Sequence, residues 1–336
     1  MGSENAVTRE ASGADGASRG PIFVSGRQHS GNTVVAVLLG RLPGCLAQID
    51  ENAFFEHRRL VDNLQDAASR AERVFELLRL EHDGARAPVH EHLRRLARDR
   101  PRITALELYR DGMDFAAQFA GKRFWVQKAT SYIFYGHEIL SSMPDARMIC
   151  LVRNPYDIVA SRKRRNERRE RIWSTMVSWN RGMTIVRSLE AQFPHRLRLV
   201  SYEDLTSRPE ETVRSLVAWI GEPFDPACLD VPHVNRSETT YSLSGDGKGL
   251  NRTRVNYYVD NLSQAEIAGI DLLADRKLLD SFYPSLLHRS RRIGIVARMS
   301  GLGLVLGGPI RYGIDYASRL WRTPSLLMAR TIRRLR

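Results

Sequence analysis

Short apolar runs bounded by glycine, proline and polar clusters alternate along this chain with longer stretches whose apolar residues recur every three or four positions. The first run, Pro21–Gly26 (PIFVSG), reads as a buried strand. Gly26–Thr33 is then a turn, and Val34–Arg41 opens a helix that Pro43-Gly44 breaks. Cys45–Asp50 is the second strand. From Glu56 to about Arg100 the chain is charged, with apolar residues at helical spacing (Leu60, Leu64, Ala67; Val74, Leu77, Leu78), which predicts covering or inserted helices. Phe124–Lys128 is the next strand, followed by a helix through Leu140 and a turn at Pro144-Asp145. Arg147–Val152 is a strong strand, and Pro155 is well placed to open the helix after it. Trp173–Gln192 is a long helix and Leu197–Ser201 the last clear strand. Pro209–Ile220 is a helix stopped by Gly221, residues 225–262 are loop-rich, and Ser263 with Glu266 forms a capping box. Strands alternating with helices predict an α/β fold, a central parallel β-sheet flanked by helices on both faces.

Composition sharpens this. A chain of 336 residues, 43% of them hydrophobic, supports one large α/β domain. Residues 1–20 are polar and rich in Gly, Ala and Ser, a disordered tail and not a signal peptide. The expected organisation is that tail, a domain over 21–288 with a helical cover at 56–120, and a basic helical tail over 289–336. No run of 18 apolar residues exists, so no transmembrane helix is expected. The three cysteines are scattered, without disulfide or zinc spacing, which suits a reducing, cytoplasmic setting and no metal.

The net charge of +13 is carried by 46 Arg and 5 Lys, and residues 289–336 hold eleven Arg against one acid, Asp315, a net +10. That tail reads either as a pair of helices with a solvated basic face or as a surface for an anionic partner: a membrane face, a nucleic acid or an acidic glycan. No recognised nucleic-acid motif accompanies it, so no specific nucleic acid is expected. Arg162-Lys163-Arg164-Arg165 with Arg168, Arg169 and Arg171 either flanks an acceptor cleft or forms a solvated helix face. His90 and His92, without further ligand-like neighbours, read as surface residues.

Two segments carry chemistry. Gly26-Arg27-Gln28-His29-Ser30-Gly31-Asn32-Thr33 has the G-x-x-x-x-G-x-T frame of a phosphate-binding loop between a strand and a helix. Glycines let backbone N–H groups turn inward, and the helix adds its positive end. The lysine that a nucleotide triphosphatase needs before the Ser/Thr is here Asn32, which speaks against an ATPase or kinase. In the second segment Arg153 ends a strand and Ser161 follows eight residues later on the adjoining helix. Ligands of open α/β sheets bind outside the carboxyl ends of strands. An Arg and a Ser there can clamp a phosphate, while pairing of Arg153 with Asp157 is the structural alternative.

Together and in this order, the two segments resemble the sulfotransferase family that uses 3′-phosphoadenosine 5′-phosphosulfate (PAPS), in its bacterial carbohydrate-type branch. Ser30-Gly31-Asn32-Thr33 matches the family's 5′-phosphosulfate loop, and Ile149-Cys150-Leu151-Val152-Arg153-Asn154-Pro155 with Ser161 matches its 3′-phosphate element. Lys128 in WVQKAT, Tyr202-Glu203-Asp204-Leu205 with Pro209-Glu210, and Leu262-Ser263-Gln264-Ala265-Glu266 resemble three further family segments. The resemblance spans roughly Pro21 to Pro284 and implies a P-loop NTPase-like sulfotransferase fold without a metal.

The resemblance also implies roles. Donor contacts fall on Arg27, Gln28, His29, Ser30, Gly31, Asn32, Thr33, Arg153 and Ser161, with Lys248 and Gly249 in a late glycine-rich loop. Adenosine 3′,5′-bisphosphate is the product. Glu51, in Glu51-Asn52-Ala53-Phe54-Phe55, stands where carbohydrate-modifying members place the base, with Asp50, Glu56 and His57 as rivals. The family's usual cation before the Ser-Gly pair is His29 here, so His29, Arg27 or Lys128 supplies positive charge at the leaving phosphate. The implied partners are PAPS and a hydroxyl acceptor, an anionic glycan or glycolipid, with cytoplasmic or inner-membrane-face work through 289–336. Acceptor choice is expected in 56–120 and 225–260. The alternatives are a P-loop nucleotide kinase or NTPase and a basic nucleic-acid-binding protein.

Overall fold

The structure, a computed structural model, describes residues 20–164, 172–230, 235–236, 241–242, 255–286 and 294–322. In chain order the elements are β1 (Ile22–Gly26), α1 (Asn32–Gly40), β2 (Cys45–Gln48), α2 (Phe54–Asp62), α3 (Ala67–Leu78), α4 (Asp83–Asp99), α5 (Ala105–Phe119) and β3 (Phe124–Lys128). A 3-10 helix (Thr130–Tyr135) leads into α6 (Gly136–Ser142), β4 (Arg147–Val152), α7 (Pro155–Arg164), α8 (Ile172–Gln192), β5 (Leu197–Ser201), α9 (Tyr202–Ser207) and α10 (Pro209–Ile220). A short antiparallel pair, β6 (Asn235–Arg236) and β7 (Tyr241–Ser242), precedes α11 (Tyr258–Asn261), α12 (Gln264–Leu273), α13 (Arg276–Phe282) and α14 (Ile295–Arg322).

The five long strands form one parallel sheet in the order β2-β3-β1-β4-β5. Its three central strands, β3, β1 and β4, are buried on both faces, as a parallel sheet between helical layers requires. Successive side chains alternate: Ile22, Val24, Phe124, Val126, Ile149 and Leu151 join one core with α1 and α10. Phe23, Trp125, Met148, Cys150 and Val152 join the larger core on the opposite face. That larger core is aromatic near β1, where Phe23 meets Trp125 edge-on at 5.4 Å and Phe54 stacks on Tyr109 at 4.1 Å.

The connection after β1 leads to one side of the sheet and that after β4 to the other, so the carboxyl ends of these neighbours form a topological switch point. Register sets its depth: Gly26, the last residue of β1, pairs with Leu151, leaving Arg153 two residues further along β4's exit.

Several details differ from the sequence reading. Strand β2 stops at Gln48, whose side chain turns to the end of α3 and donates to the Arg79 carbonyl at 3.0 Å while accepting from the Glu81 amide at 2.9 Å. After β3 the chain tightens into a 3-10 turn before α6, because the Ala129 amide is still engaged by the Val24 carbonyl at 3.1 Å. Much of the basic tail lies outside the described residues, and within 294–322 the described residues contain one helix, α14. Its Gly-rich run does not break it, since Gly301 sits against α12 so closely that a Cβ would lie 2.8 Å from the Ala265 carbonyl oxygen. His90 and His92 are also less exposed than expected: they stack on Phe75 and Phe115 at 4.2 Å.

Candidate active site

The loop after β1 is wound to face inward. His29 has φ 67° and Gly31 φ 93°, left-handed conformations set among ordinary ones, which is how successive N–H groups form an anion-binding concavity. The Ser30 amide closes the turn on the Arg27 carbonyl at 3.2 Å. Asn32, in the lysine position of a triphosphatase loop, spends its amide inside the loop, donating to the carbonyls of Gly26 (3.1 Å) and Arg27 (3.2 Å). It braces the cradle and brings no charge to it. The Ser30 hydroxyl is fully buried and finds no hydrogen-bond partner among the described residues, an uncommon state for a buried polar group and one that a bound phosphate oxygen would satisfy.

Arg153 closes the cradle from the side. Its guanidinium is buried, donates through Nη1 to the His29 carbonyl at 2.7 Å, and lies 4.2 Å over the Tyr202 ring. Tyr202, the first residue beyond β5, is pressed against the loop: a Cβ on Gly31 would come within 2.8 Å of its Cδ2. Loop, arginine and ring are thus a single stack. Glu203 fixes the next residue, accepting from Asn154 N (3.0 Å) and Nδ2 (2.9 Å). The Trp179 indole donates to the Arg153 carbonyl at 3.1 Å.

The alternative pairing of Arg153 with Asp157 is present only at 4.0 Å. Asp157 has another task. Wholly buried, it accepts from Asn154 Nδ2 and from the amides of Asn256 and Tyr258, each at 2.9 Å. It therefore pins to α7 the segment that follows the late glycine-rich loop. Burial pushes its carboxyl up, and the Arg153 charge opposes that shift. Ser161, buried one turn further along α7, is on the same flank as Asp157. Lys248 and Gly249 lie outside the described residues.

Glu51 lies three residues past the end of β2, beside the end of β3. It meets Lys128 Nζ at 3.3 Å and accepts a hydrogen bond from the Thr130 hydroxyl. Lys128 is 1% exposed, whereas the Glu51 side chain is 42% exposed, so the carboxylate is the reachable half of the pair. The rivals are placed differently: His57 Nδ1 is on its own helix, 2.9 Å from the Ala53 carbonyl, and the Asp50 amide is held by Glu81. Asn52 anchors the turn between β2 and α2, donating to Gln127 at 2.7 Å and accepting from Tyr132.

Arg27 departs from its expected place among the donor contacts. Its backbone belongs to the loop, but its side chain crosses Gly182 of α8, where a Cβ would meet its Cδ at 2.8 Å, and lies over Phe134. No local pattern along the chain signals this, nor Tyr202 as the wedge of the stack, nor Asp157 as an anchor.

Residues 21–226, which contain the loop, Arg153 and Tyr202, match the family model described as the sulfotransferase family. The chain belongs to the sulfotransferase family. As a sulfotransferase it is an enzyme of sulfuryl transfer, and the triphosphatase reading falls, in keeping with the neutral, internally bonded Asn32. Among solved structures it is similar to the sulfotransferase domain of the Synechococcus PCC 7002 olefin synthase, at 20% identity and TM-score 0.45, covering 87% of this chain and 94% of that one. The sulfotransferase domain from the curacin biosynthetic pathway aligns at 16% identity and TM-score 0.46, covering 87% and 98%. Sulfotransferase STF1 of Mycobacterium tuberculosis H37Rv aligns at 18% identity and TM-score 0.37, covering 63% and 70%. No curated protein matches the chain.

Proposed function

We propose that this sulfotransferase moves a sulfuryl group from PAPS to a hydroxyl of a carbohydrate or glycolipid. The observation that carries the reading is the stack of His29, Gly31, Tyr202 and Arg153 around a buried Ser30 hydroxyl that has no partner among the described residues, with the Glu51–Lys128 pair at the end of a neighbouring strand. The inward-facing loop and Ser30 would hold the 5′-phosphosulfate, and Arg153 with Ser161 the 3′-phosphate. The donor supplies the sulfuryl group and departs as adenosine 3′,5′-bisphosphate.

The chain's own residues handle protons and charge. Glu51, exposed and fixed by Thr130, accepts the proton of the acceptor hydroxyl as that oxygen becomes a nucleophile. Protonation cancels the counter-charge that Glu51 offers to Lys128. The buried ammonium is then available to balance negative charge at the moment it grows on the leaving phosphate. His29, whose carbonyl accepts from Arg153, would add positive charge at the loop.

The Glu51-Asn52-Ala53-Phe54-Phe55 segment, which resembles the base segment of carbohydrate-modifying members, supports a sugar hydroxyl. A membrane-borne acceptor is supported by α14, whose Ile295, Met299, Leu302 and Leu306 are exposed at one-face helical spacing, within residues 289–336 whose sequence has a net charge of +10. Among the described residues no helix is long and apolar enough to cross a membrane. The three cysteines are buried free thiols, compatible with work on the cytoplasmic side. The test is transfer of sulfur-35 from labelled PAPS to a panel of neutral and acidic oligosaccharides and glycolipids. Glu51→Gln should lower the rate by about 10²- to 10⁴-fold without loss of bisphosphate binding. Transfer unaffected by that change would remove Glu51 from the mechanism.

A further inference from the structure

Behind the Glu51–Lys128 pair the sheet ends in buried amides. Gln48 of β2 and Gln127 of β3 are register neighbours, 1% and 0% exposed, on the face that carries Phe23 and Trp125. Every polar atom of the Gln127 side chain is engaged. Its Oε1 accepts from Asn52 Nδ2 at 2.7 Å, and its Nε2 donates to the Asp50 carbonyl at 3.1 Å and to the Lys128 carbonyl at 2.9 Å. One side chain thus holds the backbone on both sides of the pair, at the residue before Glu51 and at Lys128 itself. Asn52 sets which end of that amide faces the carbonyls. Its own Oδ1 is taken by the Tyr132 hydroxyl and the Phe54 amide, the latter at 3.3 Å, which turns Nδ2 toward Gln127.

The same turn is gripped from its other side. The Asp50 amide donates to the Glu81 carboxylate, the Glu81 amide donates to Gln48 Oε1 at 2.9 Å, and Arg79 Nη1 donates to the Glu51 carbonyl at 3.3 Å. Both backbone polar groups of Asp50 are therefore held by side chains. Packing alone does not ask for an amide at position 127. An apolar side chain would suit a face that carries Phe23 and Trp125, with no polar group to desolvate. A buried amide is tolerated when all its donors and its acceptor are met, and it then makes rigid whatever it ties together. Here it ties the turn of the base to the strand end of its cation. Those two groups act in sequence during transfer, and misplacement of a reacting group by about 1 Å can cost about 100-fold in rate.

We propose that Gln127 is a positioning residue for sulfuryl transfer, setting the spacing between the Glu51 carboxylate and the Lys128 ammonium, with Asn52 orienting its amide. The proposal rests on the assignment of Glu51 as base. Gln127 is buried behind the pair and acts through it, so its loss falls on the rate of transfer and leaves the donor cradle, built from the loop after β1 and the end of β4, as it was.

The test is a double-mutant cycle on the full chain, read as sulfur-35 transfer from labelled PAPS to the saccharide or glycolipid that takes up most label. Gln127→Met, of similar length and without the amide, should lower kcat roughly 10- to 100-fold. Acceptor KM and binding of adenosine 3′,5′-bisphosphate should stay within about twofold of wild type. In the Glu51→Gln background the same change should cost less than about threefold more, because there is no longer a carboxylate to place. A wild-type kcat for Gln127→Met, or its full loss repeated in the Glu51→Gln background, overturns the proposal and leaves Gln127 a core residue. Gln127→Asn keeps an amide too short to reach both carbonyls and serves if Gln127→Met does not fold, with thermal unfolding checking both. A crystal structure of the folded variant gives a reading that needs no acceptor. The Glu51–Lys128 pair, now at 3.3 Å, should open past the ion-pair limit of about 4 Å, and a pair at its present spacing overturns the proposal. Wild-type transfer by Glu51→Gln alone would be a different result: it removes the base, and the positioning role with it.

Discussion

Gly31→Ala tests the stack on which the proposed donor cradle rests. Two costs follow from the geometry. At φ 93° an L side chain is strained by about 1–2 kcal/mol. A Cβ would also stand 2.8 Å from Tyr202 Cδ2, so the ring must leave its seat between Gly31 and Arg153. That forfeits a buried cation–π contact now at 4.2 Å, worth about 2 kcal/mol. The total of about 3–4 kcal/mol lowers the population of the binding-competent loop and weakens adenosine 3′,5′-bisphosphate by two to three orders of magnitude. Calorimetry on a double-mutant cycle with Tyr202→Ala separates the parts. In the Tyr202→Ala background the clash is gone, and Gly31→Ala should cost only the backbone strain, about tenfold, giving a coupling near 2 kcal/mol. Binding of Gly31→Ala at wild-type strength, or a coupling near zero, would refute the reasoning.

Two further predictions address stability and location. Hydrogen bonds from Arg110 at 2.8 and 2.6 Å hold the Asp145 carboxyl below its ordinary value of 3.8, so the pair contributes stability above that pH and loses it as pH falls through the lowered value. Asp145→Asn should therefore be less stable than wild type at neutral pH in denaturant melts, with the gap closing below about pH 3.8; a gap independent of pH would exclude this linkage. Vesicles containing anionic lipid should co-sediment wild type, and Met299→Glu with Leu306→Glu should reduce that markedly; unchanged co-sedimentation would remove α14 as the contact.

Much of the frame was legible because its signals are local. The run Arg147–Val152 is a strand to the residue, Gly221 ends α10 in a left-handed conformation at φ 84°, and Ser263 and Glu266 make both halves of their capping box. Each of these depends on neighbours within four positions. Local geometry of the candidate site was legible where a motif fixes the backbone, as at the turn containing Gly31, or where a strand ends, as just before Arg153. It was not legible where a side chain's task is set across the fold. Nothing near Tyr202 in sequence says that its ring will fill the gap between two segments entering from β1 and β4. Asp157 looked like an ion-pair partner four residues from Arg153, yet its hydrogen bonds reach backbone amides about 100 positions away. Arg27 looked like a donor ligand from its place in the loop, but Gly182 leaves a space on α8 that draws the side chain to Phe134.

The central claim is that the loop after β1 and Arg153 together hold a 3′,5′-phosphorylated adenosine. Calorimetric titration of wild type and Arg153→Ala with adenosine 3′,5′-bisphosphate, with ATP and magnesium as the control ligand, tests it most directly. The account predicts micromolar-range binding to wild type, roughly 100-fold weaker binding to the variant for the loss of one buried charged contact of about 3 kcal/mol, and no comparable response to magnesium-ATP. Absence of bisphosphate binding, equal binding by the variant, or preference for magnesium-ATP would contradict it.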